Sequence, residues 1–240
     1  MPLSLWPGLA ADRRLFEPLL GLLPSAEVPE FIPPERGEPL RAYAARYART
    51  LGPTLPADGR YVLGGFSFGG QLALELAAVL EPRPRGLVLI CGVRGAHQIL
   101  PSFKRQQKMG ALLPAAAAKR AYVPFARRFA AREGLDAAAT ELLVAMARDI
   151  DPPFLNWSAA ACATWPGPPD GLDVPIQHIH GELDRIIPDV NNEADETIPG
   201  ARHLITLTHP AQVAAFVAGA LDAFDDGNPH SGQSGSPANA

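Results

Sequence analysis

Three side chains spread along this chain, a serine, a carboxylate and a histidine, could together carry nucleophilic chemistry at a carbonyl. Ser67 lies in Gly65-Phe-Ser-Phe-Gly69, and the sequence changes period at that point. A short apolar run of strand type begins at Tyr61, whereas Leu72, Leu76, Val79 and Leu80 recur at helical spacing. A serine on a tight strand-to-helix turn has a strained backbone and is crowded on both flanks. The residues two before and two after it must therefore be nearly free of side chain. Gly65 and Gly69 meet that demand. The hydroxyl is then held at the tip of a sheet beside the positive end of a helix, the presentation a nucleophilic serine needs. The pentapeptide alone also fits a structural turn, and a Gly-rich turn before a helix could hold a phosphate.

Such a serine needs a base for its proton and a carboxylate to orient the base. Both belong at the carboxyl ends of later strands, where the turn at Ser67 also points. Val174 to His180 reads as a strand, and the loop after it, residues 181–188, offers two acids, Glu182 and Asp184. Asp184 sits in the loop proper. Further on, His203 heads a run to Leu207 that reads as another strand, where its ring could reach back across the sheet edge. His209, just before Pro210 and the last helix, is the rival base, with a surface or capping role as its ordinary reading. His178 and His180 form His-x-His on one strand face, a pattern that invites zinc, but no third ligand stands out. Arg185 and Arg202 flank the acid and the base, where solvated charge is the ordinary reading and pairing with a substrate carboxylate the sharper one.

The elements that must position these groups follow from the pattern. Residues 3–6 read as a very short strand, 15–23 as a helical run, and Ala26 to Ile32 as a strand interrupted by Pro29. Leu40, Tyr43, Ala44, Tyr47 and Leu51 lie on one face of a helix at 39–51. Gly86 to Gly92 is a continuous apolar run of the kind a buried parallel strand shows. This alternation predicts an α/β sheet with helices on both faces. Residues 94–165 then hold no convincing strand and read as helices near 102–112, 115–132, 136–149 and 152–164. That segment carries ten Lys or Arg against five Asp or Glu, whereas the remainder carries eleven against twenty. It reads as an inserted, locally basic helical cap, residues 94–165, over a core of residues 1–93 and 166–225. Its run Lys104-Arg105-Gln-Gln-Lys108 reads as a solvated helix face, with a docking surface for an acidic carrier or anionic acyl group as the sharper alternative. Phe154, Leu155, Trp157 and Trp165 read as the core of the insertion. Residues 226–240 have nothing apolar to anchor them and read as a disordered tail.

Composition narrows the classes. With 240 residues, 47% hydrophobic and 19% charged, the chain fits one soluble globular domain with an insertion. A net charge of −4 gives no reason to expect a nucleic-acid partner. Cys91 and Cys162 make neither a metal spacing nor a disulfide framework, so a reducing compartment is the default, and Cys91 reads as a small buried hydrophobe. Neither a signal peptide nor an apolar stretch of about 18 residues is visible, so the expected location is cytoplasmic.

The order Ser67, Asp184, His203, together with Pro7-Gly8-Leu9 after the first strand and His209-Pro210 with Val213 near the end, resembles the α/β-hydrolase-fold family of the esterase and lipase type. The resemblance covers Leu3 to Phe224. It implies an α/β-hydrolase core whose mostly parallel sheet is shortened at its amino-terminal side to about six strands, under a helical cap. It also implies a serine hydrolase acting on an ester of a small organic acid, or on a thioester, with Ser67 as nucleophile, Asp184 rather than Glu182 as acid and His203 as base. The backbone N–H groups of Phe68 and Leu9 are the implied oxyanion donors, and neither cofactor nor metal is implied. Implied partners are a small ester or thioester and, in the alternative, an acyl carrier. A non-catalytic ligand-binding protein of the same fold is the remaining alternative. The chain departs from the family in having Pro7 before Gly8 where His is usual, and Arg202 before His203 where Gly is usual.

Overall fold

The computed structural model describes residues 1–103, 105, 115–189 and 193–227. Six strands form one sheet: β1 (Leu3–Trp6), β2 (Ala26–Glu27), β3 (Val62–Phe66), β4 (Gly86–Ile90), β5 (Ile176–Gly181) and β6 (Glu196–Ile198). They run in the order β2-β1-β3-β4-β5-β6, and every pairing is parallel. The apolar runs of β1, β3 and β4 are buried throughout, as a sheet covered on both faces requires. Side chains alternate between two hydrophobic clusters with the period of two that a pleated strand imposes. Leu3 and Leu5, Val62 and Phe66, Val88 and Ile90 enter one cluster. Trp6, Leu63, Leu87 and Leu89 enter the other.

Helices cover both faces. α1 (Glu17–Leu20), α2 (Leu40–Leu51) and α3 (Phe68–Val79) alternate with the first strands. Between β4 and β5 come α4 (Ala115–Glu133), α5 (Ala137–Asp149) and α6 (Pro152–Thr164). α7 (Ile205–Thr208) and α8 (Pro210–Asp225) close the chain. Leu40, Tyr43, Ala44, Tyr47 and Leu51 form the buried stripe of α2, as their spacing predicts. α3 carries a fully buried carboxylate, Glu75, which receives Arg41 of α2 at 3.0 and 3.3 Å and the Trp165 indole N–H at 2.7 Å. This contact ties α2, α3 and the residue after α6 together. Trp165 therefore packs on the core rather than inside the insertion.

Two expected elements differ. The strand expected over Ala26 to Ile32 is confined to Ala26–Glu27, and Pro29 follows two residues later without an N–H to donate. The strand expected at His203–Leu207 is not formed. The last strand lies earlier, at Glu196–Ile198, and Gly200 turns the chain with φ +69°. The backbone N–H groups of Glu182 and Leu183 donate to Ile198 and Ala201 at 3.1 and 2.7 Å, so the chain has left the ladder before His203. His203, Leu204, Ile205 and Thr206 are buried consecutively rather than alternately, and the run coils into α7. The expected tail lies outside the described residues from 228 on. So do Lys104 and residues 106–114, and with them most of the basic run and of the helix expected at 102–112. Among the described residues no helix is long and apolar enough to cross a membrane.

Candidate active site

Ser67 stands between β3 and α3 with φ 55° and ψ −117°, a region that side chains rarely adopt. Its N–H donates to the Ile90 carbonyl at 2.9 Å, and its own carbonyl accepts from Gly70 N–H at 3.0 Å, which fixes the turn from both sides. The flanking glycines are sterically required. A Cβ on Gly65 would lie 2.2 Å from the Gly69 carbonyl carbon, and one on Gly69 would lie 1.9 Å from the Trp6 carbonyl oxygen. A Cβ on Gly8 would sit 3.2 Å from the Ser67 Cβ, so the Pro7-Gly8-Leu9 loop passes directly against the serine. Ala10, next in that loop, is also held at positive φ, 60°. Phe68 is the first residue of α3, so its N–H has no acceptor within the helix.

Asp184 and His203 are brought together. Both are buried, and His203 Nδ1 lies 2.6 Å from Asp184 Oδ2. The other carboxylate oxygen, Oδ1, accepts the N–H groups of Ile186 and Ile187 at 2.8 and 3.0 Å, an Asx turn that holds the loop around its own acid. Burial works to raise the Asp184 pKa, but the His203 charge and the hydrogen bonds from His180 and His203 outweigh it. The carboxyl is held well below the usual carboxylate range. The ring of Phe66, the residue before the serine, packs on the His203 ring with centroids 4.8 Å apart. Among the described residues no hydrogen bond joins Ser67 Oγ to His203, and such bonds commonly tighten only with substrate present.

The remaining histidines find other roles. His180 Nε2 lies 3.1 Å from the same Asp184 Oδ2 and 2.6 Å from the Ile187 carbonyl, and its Nδ1 lies 3.1 Å from His178 Nε2. A row His178–His180–Asp184–His203 therefore runs through the buried end of the sheet. The His-x-His pattern invites zinc without offering a third ligand, and nothing in it foretells this row beyond the same-face spacing next to the acid loop. His209 pairs instead with Thr208 Oγ1 at 2.8 Å, at the start of α8. Glu182 is turned to the Gly200 N–H at 2.7 Å and does not meet His203. Among the described residues, the group able to hold a metal ion is Cys91, Asp184 and His203, whose ligand atoms lie within 4.8 Å of one another. Burial, and then the Asp184 charge, push the Cys91 thiol well up, so it keeps its proton there. It packs beside the Asp184–His203 hydrogen bond as a neutral group.

A cavity of about 330 Å³ opens between the early loop (Ala10 to Asp12), Phe31 to Pro34, and the junction of α5 and α6, including Met146, Ile150, Phe154 and Leu155. Phe31 also touches Phe68, with centroids 6.4 Å apart, and Trp157 meets Phe68 edge-on at 6.1 Å. Trp157 of α6 thus packs on the residue that follows Ser67, and Phe154 and Leu155 line a cavity rather than a core of the insertion.

Comparison with known proteins agrees with this architecture. The family model described as alpha/beta hydrolase family matches residues 5–216. The chain belongs to the alpha/beta hydrolase family. Solved structures show the same alpha/beta hydrolase fold. A thermophilic esterase from Thermogutta terrifontis, solved with malate bound, superposes with a TM-score of 0.71 at 22% identity, covering 93% of this chain and 90% of that one. The esterase RhEst1 from Rhodococcus sp. ECU1013 gives 0.70 at 19%, covering 93% and 91%. The RedJ thioesterase of prodiginine biosynthesis in Streptomyces coelicolor gives 0.61 at 21%, covering 91% and 88%. A search of curated protein sequences gave no significant match.

Proposed function

We propose that this protein is a serine hydrolase that cleaves a carboxylic ester of a small organic acid through an acyl-enzyme. The observation that carries the reading is the buried 2.6 Å contact between His203 Nδ1 and Asp184, at the sheet end where Ser67 stands on its strained turn. Several solved structures similar to this chain are esterases. With Nδ1 committed to Asp184, Nε2 is the nitrogen left for proton transfer. Ser67 Oγ attacks the ester carbonyl as its proton passes to His203 Nε2, and the N–H groups of Phe68 and Leu9 receive the oxyanion. Each such donor contributes on the order of 3 kcal/mol. The imidazolium returns the proton to the departing alkoxide. Water, deprotonated by the same nitrogen, then releases the acid and restores Ser67. Asp184 stays ionised and holds the ring. Residues 94–165 act as the cap that supplies the substrate pocket, the chemistry draws on no cofactor, and the enzyme works in the cytoplasm.

The test is a panel of chromogenic esters of rising acyl length, with a fluorophosphonate probe in parallel. The wild type should turn over short esters and label at Ser67, whereas Ser67→Ala should do neither. Absence of both turnover and labelling in the wild type would sink the reading in favour of a ligand-binding role. Selective turnover of acyl thioesters would move it to a thioesterase.

A further inference from the structure

His203 is held from outside its own loop by two carboxylates. Its ring is bound by Asp184, and its backbone N–H donates at 2.8 Å to Oε2 of Glu133, a residue 70 positions earlier on the last turn of α4. Glu133 is 5% exposed. Among the described residues it joins no ion pair; the neighbouring titratable groups on other elements are Cys91, at the end of β4, and His203 itself, with Asp184 beyond it.

Local preferences argue against a carboxylate at this position. Acids are disfavoured at a helix carboxyl end, where the dipole is negative. A buried carboxylate without a cation is costly to keep. The chain nevertheless fixes Glu133 there. Gly134, at φ +75°, ends α4, with Gly134 N–H donating to Ala131 at 3.3 Å and Leu135 N–H to Ala130 at 3.0 Å. Ala126 and Ala130 anchor the same helix on the core. A residue that breaks the local rules and is built in so firmly marks a functional constraint.

We infer that Glu133 is a positioning residue for His203, by which the helical segment sets the height of the catalytic ring. The inference rests on reading His203 as the general base. The loop from Gly200 to Leu204 is tied at its two ends, by Gly200 N–H to Glu182 and Leu183 N–H to Ala201 at 2.7 Å each and by Ile205 N–H to the His203 carbonyl at 2.9 Å, while the N–H of His203 itself turns to the helical segment. Glu133 accepts that N–H, the anchor that links His203 to α4, and its position follows that of α4. A movement of α4 therefore moves His203 relative to Ser67.

Three variants test this. Glu133→Gln keeps an acceptor oxygen, Glu133→Ala removes it, and Glu133→Met removes it while filling the space should the alanine variant not fold. Loss of the acceptor should lower kcat on the order of 10- to 100-fold, with KM changed less than about threefold, because misplacing a catalytic group acts on the chemical step. Glu133→Gln should stay within about threefold of wild type. In parallel, amide hydrogen exchange over residues 201–205, read by mass spectrometry, should accelerate by at least about tenfold in the Ala and Met variants and hold in Gln. Wild-type kcat and protection in a folded Glu133→Met protein would overturn the inference, as would a Gln variant as impaired as Met. If the wild type hydrolyses no ester, the hydrolase reading falls, and the exchange arm still decides whether Glu133 holds His203.

Discussion

At the scale of single residues, the site is a competition between burial and partners. Asp184 keeps its charge despite burial because two histidines and two backbone N–H groups converge on it. Asp184→Asn should cost kcat on the order of 10³–10⁴-fold, because the amide no longer selects the productive imidazole tautomer. His203→Ala should abolish turnover, whereas His209→Ala, whose ring rests on Thr208, should stay close to wild type. The row behind the acid has its own signature in pH. Burial first, then His180 and Arg94, hold the His178 pKa well below the ordinary imidazole value. For His180 burial works the same way, but the hydrogen bond and charge of Asp184 outweigh it and raise the pKa. The unfolded chain gains a proton on His178 near pH 6.5 that the native ring refuses, so this residue removes stability as pH falls below about 6.5. His180 has the opposite sign, giving stability below about 6.5 that is lost as pH rises through its folded value. The Asp184 contribution is present above about pH 4 and fades below it. Urea unfolding at pH 7 and pH 5 should therefore show a shallower loss for His178→Asn than for wild type, by up to about 1.4 kcal/mol per pH unit. An equal or steeper loss would count against a neutral buried His178.

At the scale of elements, the strand-to-helix turn is the least tolerant place in the chain. Gly69→Ala drives a Cβ into the Trp6 carbonyl, a backbone atom that has nowhere to go, and should lower Tm on the order of 10 °C. Gly219→Ala, in the middle of α8 with open space around it, should raise Tm by about 2–4 °C instead. Thermal unfolding of the two variants side by side checks both. This turn was legible in the sequence because two short-range signals coincide there, a glycine pattern and a change of hydrophobic period. The sheet with helices on both faces was legible from the alternation of strand and helix and the fully apolar runs at β3 and β4, whereas its size of about six strands came from the family resemblance. The segment after Gly200 was not. His-Leu-Ile-Thr-Leu has the composition of a strand, but its end of the sheet was already occupied by Glu196–Ile198, and tertiary pairing overrode β propensity. Glu133 was invisible for another reason. Its partner is a backbone N–H 70 residues away, and nothing in the sequence marks which carboxylate will meet an amide.

At the scale of the whole molecule, the cavity lies between the early loop, Phe31 to Pro34 and the α5–α6 junction, and Phe31 in its wall meets Phe68, the residue after Ser67. Its lining is mostly apolar but includes Asp12, Asp149 and Asp151, so it favours an alkyl or aryl group over an anionic one, and the locally basic composition of residues 94–165 does not extend to this wall. Phe154→Ala should raise KM for aryl esters about tenfold while acetate esters change less than about twofold, measured as steady-state kinetics on the two series. The sheet itself has a further consequence, for behaviour at high concentration. Its two outer strands are its shortest, two residues in β2 and three in β6, while the long strands are paired on both sides. A neighbouring chain seeking an unpaired ladder to extend finds little among the described strands, so the native sheet is a poor template for fibril growth.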